Sequence, residues 1–234
     1  MYPQALFEYI ASLAPSRHRV WDCATGSGQA ARSLAYYFDE VIATDLSQEQ
    51  ISHAVPVKNV TYRQAPSENS GIPSASVDAI CIATALHWFD HGSFFKEAKR
   101  VLKPGGLFAA WTYGGQKVDS ELDKILVAFE SDLLGSYWSD RIKISQNGYK
   151  ELAIPFRMIS TPQFHQELYW SIEQIEGFLR SWSAVQRFKD KNGQDPVTII
   201  DPALRSLWGD ATRKVHWDLR LVAGFNDSGA SSNL

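Results

Sequence analysis

The sequence has few of the features that place a protein in a membrane or on a nucleic acid. Its longest apolar run, 79–89, is interrupted by Thr84 and His87 and falls short of the roughly 20 residues that cross a bilayer. The first residues show neither the basic stretch nor the apolar core of a signal peptide. The net charge of −3 offers no general attraction to nucleic acid. We therefore expect a cytoplasmic protein that binds neither membrane nor nucleic acid.

Cysteine and metal-binding patterns are also scarce. The two cysteines, Cys23 and Cys81, each lie in an apolar stretch that predicts a buried strand, which favours reduced core thiols over a disulfide or a metal pair. Among the six histidines, only His87 and His91 have the i, i+4 spacing of two ligands on one helix face. The residues around this pair do not complete a zinc pattern. The sequence therefore predicts no metal site.

The first half of the chain alternates strand and helix patterns. Strands are predicted at His18–Cys23, Glu40–Asp45, Asn59–Gln64, Val77–Ala83 and Leu107–Thr112. Helices are predicted at Pro3–Ala14, Gln29–Phe38, Ser47–Ala54 and Ser93–Leu102. Such alternation indicates parallel strands joined by right-handed crossovers, with helices on both faces of the sheet. The segment Lys103-Pro104-Gly105-Gly106 is predicted to end the fourth helix and turn the chain into the fifth strand.

The second half is patterned less regularly. An amphipathic helix is predicted over 118–135 and another helix over Ile172–Trp182. Alternating residues predict strands at Phe164–Trp170 and Lys214–Phe225, which we interpret as two edge strands with helical material between them. Residues 226–234 have no apolar periodicity and are predicted to be disordered.

The sharpest local feature is a glycine-rich turn between a strand and a helix, Asp22-Cys23-Ala24-Thr25-Gly26-Ser27-Gly28. Such a turn lets a ligand approach the backbone closely. Asp45 ends the next strand, at a position where one carboxylate can accept both vicinal hydroxyls of a ribose. Two other interpretations stay open: a tight turn without a ligand and, for Asp45, a helix N-cap before Ser47.

Two classes of cofactor fit this turn. The residues from Gly26 to Ala31 match the dinucleotide pattern G-x-G-x-x-A, which keeps a nicotinamide oxidoreductase open. Asp22 separates the two classes, because a carboxylate just before the turn would repel a pyrophosphate. The same carboxylate suits the ammonium group of a methionine moiety.

Five segments in order resemble motifs of the S-adenosylmethionine-dependent methyltransferases. The similarity is to the type 11 branch that includes trans-aconitate methyltransferase-like proteins, and it covers roughly residues 2–225. The segments are Asp22–Gly28, Asp45–Ser47, Ala65–Glu68, Val77–Asp90 with its His87-Trp88-Phe89 ending, and Val101–Gly106. Two departures are the alanine at position 24, where the family usually has glycine, and a start near Tyr2, where a segment folding over the cofactor usually precedes.

The resemblance implies an α/β, Rossmann-like methyltransferase fold. Its sheet would be mostly parallel and seven-stranded, with helices on both faces and a small helical cap from the second half. We expect a single domain, 1–225. Within it, 1–115 would bind the cofactor, 116–212 would form the cap insertion and substrate region, and 213–225 would be the last edge strand.

The resemblance also implies S-adenosyl-L-methionine as cofactor and S-adenosyl-L-homocysteine as product. The residues expected to bind the cofactor are Asp22, Ala24, Gly26, Gly28, Asp45, Leu46, Ser67, Glu68, Ala83 and Trp88. Those expected to border the acceptor are Trp111, Tyr113, Arg180 and Trp182, although a core role for Trp111 is equally open.

The expected acceptor is a small molecule, and a carboxylate is one candidate because it needs no deprotonation. His87 is the candidate general base if one is needed, and its alternative role is packing. The alternative function is a non-catalytic protein that binds S-adenosylmethionine. The sequence does not indicate an oligomeric state.

Overall fold

Residues 2–227 are described by a computed structural model. They form two units. The first unit contains the chain up to Tyr113, Ile144–Phe164 and the described residues from Leu219 onward. The second unit contains Gly114–Lys143 and His165–Asp218. The segment Ile144–Phe164, which the sequence places in the cap, thus groups with the first unit.

The described residues form one eight-stranded sheet, which confirms the α/β class and adds one strand to the expected seven. The strands are β1 Arg19–Cys23, β2 Glu40–Asp45, β3 Val60–Gln64, β4 Val77–Ala83, β5 Leu102–Tyr113, β6 Arg157–Ile159, β7 Phe164–Trp170 and β8 Arg213–Phe225. Their order is β3-β2-β1-β4-β5-β8-β6, and β7 also pairs with β8. The first five strands are parallel, and β8 is antiparallel to β5 and β6.

The expectation that 213–225 is an edge strand is wrong. Phe225 of β8 is paired with Leu107 of β5 and with Arg157 of β6, so the strand has a partner on each side. The additional strand β6 has only three residues. A segment this short gives too few alternations for sequence periodicity to reveal it.

Nine α-helices occur in the described residues. They are α1 Gln4–Leu13, α2 Gln29–Leu34, α3 Gln48–Ser52, α4 His91–Val101, α5 Ser120–Ala128, α6 Asp140–Gln146, α7 Ile172–Arg180, α8 Ser183–Asn192 and α9 Val197–Trp208. The longest, α9, has 12 residues. Between residues 2 and 227 no helix is both long and apolar enough to span a bilayer.

Two predicted boundaries differ from the structure in an informative way. The helix predicted over 118–135 is α5 followed by a π-helical turn at Phe129–Leu133, which changes the helical register. The turn predicted at Lys103–Gly106 lies inside β5, where the register with β4 shifts between Val77 and Ala79. Gly105 has a φ of 72° there, so the chain bulges and does not end its strand.

Successive residues of the central strands point to opposite faces, and each face has its own core. Val20, Ala79 and Leu107 pack with side chains of α1 and α2. Trp21, Ile80 and Phe108 pack with side chains of α4 on the other face. This places helices on both faces, as the alternating pattern predicts.

The disordered tail predicted for 226–234 does not begin at Asn226, which is held in place by the fold. Its side chain is buried, and its Nδ2 lies 3.2 Å from the carbonyl oxygen of Leu102. Its backbone N–H donates to the Gly106 carbonyl, and its own carbonyl accepts from the Gly105 N–H. The remainder of the predicted tail, 228–234, lies outside the described residues.

Candidate functional site

The turn after β1 requires glycine at Gly28. This residue has a φ of 81°, and a Cβ built on it would lie 2.5 Å from Tyr62 Oη. Gly26 has a φ of 57° with more open space around it. Ala24 also adopts the left-handed conformation, with a φ of 57°, although it carries a Cβ. The turn therefore keeps its conformation with an alanine at this position.

Asp22 is buried beneath the same turn. Its Oδ2 accepts a hydrogen bond from Thr25 Oγ1 at 2.5 Å. Its Oδ1 is buried and has no hydrogen bond of ordinary geometry within the described part of the chain. Burial raises the pKa of the Asp22 carboxyl to about 7, and the Thr25 hydrogen bond opposes that shift. A buried carboxylate with an unused oxygen is an acceptor for a cationic or N–H-bearing ligand.

Asp45 is fixed at the end of β2 by two backbone hydrogen bonds. Its Oδ2 accepts from the Gly26 N–H and its Oδ1 from the Ser47 N–H, both at 2.8 Å. The N-cap of α3 is Ser47, whose side chain accepts from the Gln50 N–H, so the capping interpretation of Asp45 is wrong. Each carboxylate oxygen can accept a second hydrogen bond, so Asp45 can still receive two hydroxyl groups.

A cavity of about 590 Å³ lies at the carboxyl ends of the parallel strands, next to this turn. Ligands of open α/β sheets bind at such edges. Eight of the residues expected to bind the cofactor line it: Ala24, Gly26, Asp45, Leu46, Ser67, Glu68, Ala83 and Trp88. Asp22 and Gly28 are not among its lining residues, although both belong to the adjoining turn segment.

Further lining residues that sequence reasoning did not assign to the site include Gln50, Thr84 and Asp90. Thr84 follows β4 with a φ of 56°, and its Oγ1 lies 3.1 Å from Tyr2 Oη. Burial raises the pKa of Tyr2 to about 12, so its hydroxyl stays protonated at neutral pH. Neither the conformation of Thr84 nor a contact between residues 82 positions apart has a local sequence signal.

Comparison with known proteins decides the family. Residues 21–110 match the family model described as a methyltransferase domain. A Dictyostelium discoideum protein provisionally named a methyltransferase is 32% identical over 186 residues, which cover 78% of this chain and 71% of that protein. The chain belongs to the S-adenosylmethionine-dependent methyltransferases. Its cofactor is therefore S-adenosylmethionine, which decides against the dinucleotide interpretation.

Two further relatives agree with this membership. The Saccharomyces cerevisiae protein CRG1, provisionally named an S-adenosylmethionine-dependent methyltransferase, is 25% identical over 231 residues, covering 83% of this chain and 79% of that protein. The solved structure of a provisionally named type II methyltransferase from Anaeromyxobacter dehalogenans has a TM-score of 0.88 and 39% identity. It covers 96% of this chain and 97% of that chain. The methyltransferase fold thus extends over nearly the whole chain.

His87 of the methyltransferase is buried and is not among the residues that line the cavity. Its Nδ1 lies 3.4 Å from Tyr149 Oη, and its ring packs on Trp88 with centroids 4.7 Å apart. Burial lowers the pKa of His87 to about 4, and the neighbouring His91 adds to this shift. A neutral, buried imidazole of this kind is a weak base, and its contacts are those of a packing residue.

The two predicted acceptor residues of the first unit differ in their surroundings. Trp111 is fully buried, and its ring meets those of Tyr2 and Phe7 edge-on, so the structure favours its core role. Tyr113 ends β5 and packs partly buried against the same core. Burial raises the pKa of its hydroxyl.

The other two predicted acceptor residues belong to the second unit. Arg180 Nε donates to Asp195 at 2.8 Å and Nη1 to Glu176 at 3.1 Å, so its charge is already paired with two acids. Trp182 packs against Trp138 with ring centroids 5.4 Å apart. These contacts give both side chains a structural role within their unit.

Proposed function

We propose that this methyltransferase transfers a methyl group to a small-molecule acceptor, and not to a nucleic acid. The observation that carries the proposal is the cavity at the ends of β1, β2 and β4, with Asp45 fixed at its wall. Its volume of about 590 Å³ suits one nucleoside-sized ligand. The net charge of −3 gives no general electrostatic attraction to a nucleic-acid acceptor.

The residues present fit S-adenosylmethionine. Asp45 would accept the ribose hydroxyls, and Leu46, which is 71% exposed, offers an apolar surface for the adenine. Asp22, buried beneath the turn next to the cavity, would attract the methionine ammonium group through the charge of its ionised carboxylate. When bound, the cofactor supplies a methyl group already activated by a positively charged sulfur.

The protein's contribution to catalysis in this proposal is orientation and exclusion of water. Ala83, at the end of β4, and Thr84 and Trp88 after it form one part of the cavity wall. His87 acts through this wall, because it packs against Trp88 and stays neutral. An acceptor that is ionised at neutral pH, such as a carboxylate, needs no further base.

The proposed cofactor site is tested by calorimetric titration of the protein with S-adenosylhomocysteine, with NAD as the control ligand. We expect micromolar binding of the first and none of the second. Asp45→Asn should weaken binding at least tenfold, since a hydrogen bond to a charged group contributes roughly 1.5–3 kcal/mol. Asp39→Asn, which alters an aspartate with a 78% exposed side chain, should leave the affinity unchanged. Equal affinity in the two variants would contradict the role of Asp45.

The acceptor class is tested separately by following S-adenosylhomocysteine formation with panels of carboxylates, amines and phenols, and with RNA and DNA. Turnover with a member of a small-molecule panel is expected, and turnover with nucleic acid alone would overturn the proposal. His87→Gln should retain cofactor binding and most of the turnover if His87 packs. A loss of turnover with unchanged cofactor affinity would assign it as the base.

A further inference from the structure

Two histidines and an aspartate of the second unit converge on one point between β7 and β8. His165 Nδ1 and His216 Nε2 each lie 2.9 Å from Asp218 Oδ1. The two imidazole rings have centroids 5.0 Å apart and planes inclined by 32°. The three side chains thus bring one potential ligand atom each to within 4.8 Å of the others.

These two imidazole nitrogens and one carboxylate oxygen are typical ligand atoms of a transition-metal site. Two imidazole nitrogens and one carboxylate oxygen bind zinc at about 2.0–2.2 Å, so ligand atoms that share an ion lie roughly 3–3.5 Å apart. The two nitrogen-to-oxygen separations of 2.9 Å need only a small expansion to admit an ion, and the two nitrogens lie within 4.8 Å of each other. We propose that His165, His216 and Asp218 bind a Zn²⁺ ion, with water completing its coordination.

A second layer of side chains supports the ligand geometry. The other nitrogen of His216, Nδ1, lies 3.5 Å from Glu167 Oε1. Lys214 Nζ holds the same Glu167 oxygen at 3.1 Å. Metal-binding histidines usually donate their second ring N–H to a carboxylate, which fixes the tautomer and leaves the facing nitrogen free for the ion. Glu167 is placed to do this for His216, whose Nε2 faces Asp218 as the ligand atom.

Charge and exposure define what kind of site this is. Lys117 Nζ binds Asp218 Oδ2 at 2.9 Å, so it leaves Oδ1 to the ion but opposes a bound cation. His165 is 48% exposed, and His216 and Asp218 are each 27% exposed, so solvent reaches the ligands. The ion therefore exchanges with solvent and, when bound, links β7 to β8.

The test uses the untagged full-length protein after treatment with a chelator, titrated calorimetrically with zinc chloride. We expect one equivalent bound with micromolar affinity or tighter. His165→Gln and His216→Gln should each weaken binding at least tenfold. The matched control is His18→Gln, which alters another exposed histidine beside a single aspartate, Asp39, at 3.5 Å. Its affinity for zinc should equal that of the wild type.

A gain of affinity keeps the proposal testable if a ligand variant folds poorly. Lys117→Met removes the opposing charge and should tighten zinc binding several-fold, with folding of each variant checked by circular dichroism. Zinc should also raise the melting temperature of the wild type and not that of His216→Gln. Absence of saturable binding, or binding that neither histidine substitution weakens, would overturn the site.

Discussion

At the scale of single residues, Ala24 shows how the cofactor turn is held in an unfavourable conformation. A left-handed conformation brings Cβ close to the following carbonyl oxygen and costs roughly 1–2 kcal/mol for a residue other than glycine. Ala24 has a φ of 57° and also lines the cavity. The surrounding turn, tied to Asp45 through the Gly26 N–H, imposes this conformation.

We therefore expect Ala24→Gly to stabilise the protein by about 0.5–1 kcal/mol, since relief of strain exceeds the added freedom of the unfolded chain. The free energy of unfolding in urea measures the effect. Ala35→Gly is the control: Ala35 is the C-cap of α2 with an ordinary φ of −60°, so this variant should be less stable than the wild type. Equal destabilisation by the two substitutions would show that Ala24 is not strained.

At the scale of secondary structure, Asn226 joins the end of β8 to the junction between α4 and β5. Its Nδ2 lies 3.4 Å from the carbonyl oxygens of Lys99 and Lys103, in addition to the contact with Leu102. Its backbone pairs with the bulge at Gly105 and Gly106. The carbonyl groups at the end of a helix have no hydrogen-bond partner within the helix, and the Asn226 amide supplies a donor for them.

Asn226→Ala should lower the free energy of unfolding by about 1–3 kcal/mol, because buried carbonyls lose their donor. The neighbouring Asp227→Ala is the control. Asp227 forms an exposed ion pair with Arg157, so its removal should change stability by less than about 1 kcal/mol. The free energy of unfolding in urea is compared for the two variants. Equal losses would show that the effect is not specific to the hydrogen bonds of Asn226.

The same scale shows what the sequence could and could not predict. β1, β2 and β4 are buried apolar runs followed by turn residues, and strands were predicted correctly at all three places, including the end of β2 at Asp45. The place of β8 inside the sheet was not, because an antiparallel strand with two partners has the same alternation as an edge strand. The His165, His216 and Asp218 cluster was missed because its residues converge only when β7 pairs with β8.

At the scale of the whole molecule, two buried groups give opposite contributions to the pH dependence of stability. The folded-state pKa of Asp22 is raised to about 7, so its contribution to stability is lost as pH rises from about 4 to 7. The folded-state pKa of His87 is lowered to about 4 from an ordinary 6.5, so its contribution is lost as pH falls through that interval. The two trends offset each other.

The wild type should therefore show little change from these two groups between about pH 4 and 6.5. Asp22→Asn should gain stability as pH rises, and His87→Gln should lose it, each with a slope approaching about 1 kcal/mol per pH unit. The double variant should again be flat. The free energy of unfolding in urea is measured for all four proteins across this pH range. If it changes with pH in the same way in all of them, the two groups do not have opposite effects.

The burial of Asp22 has a further consequence for the proposed cofactor site. Burial raises the pKa of this carboxyl to about 7, yet an ammonium group is attracted to its ionised form. Binding of the cofactor would then be coupled to release of a proton from Asp22, and a lower pH would weaken the affinity for the cofactor. Each catalytic cycle would thus carry a small acid–base exchange with the solvent, separate from the chemistry of methyl transfer.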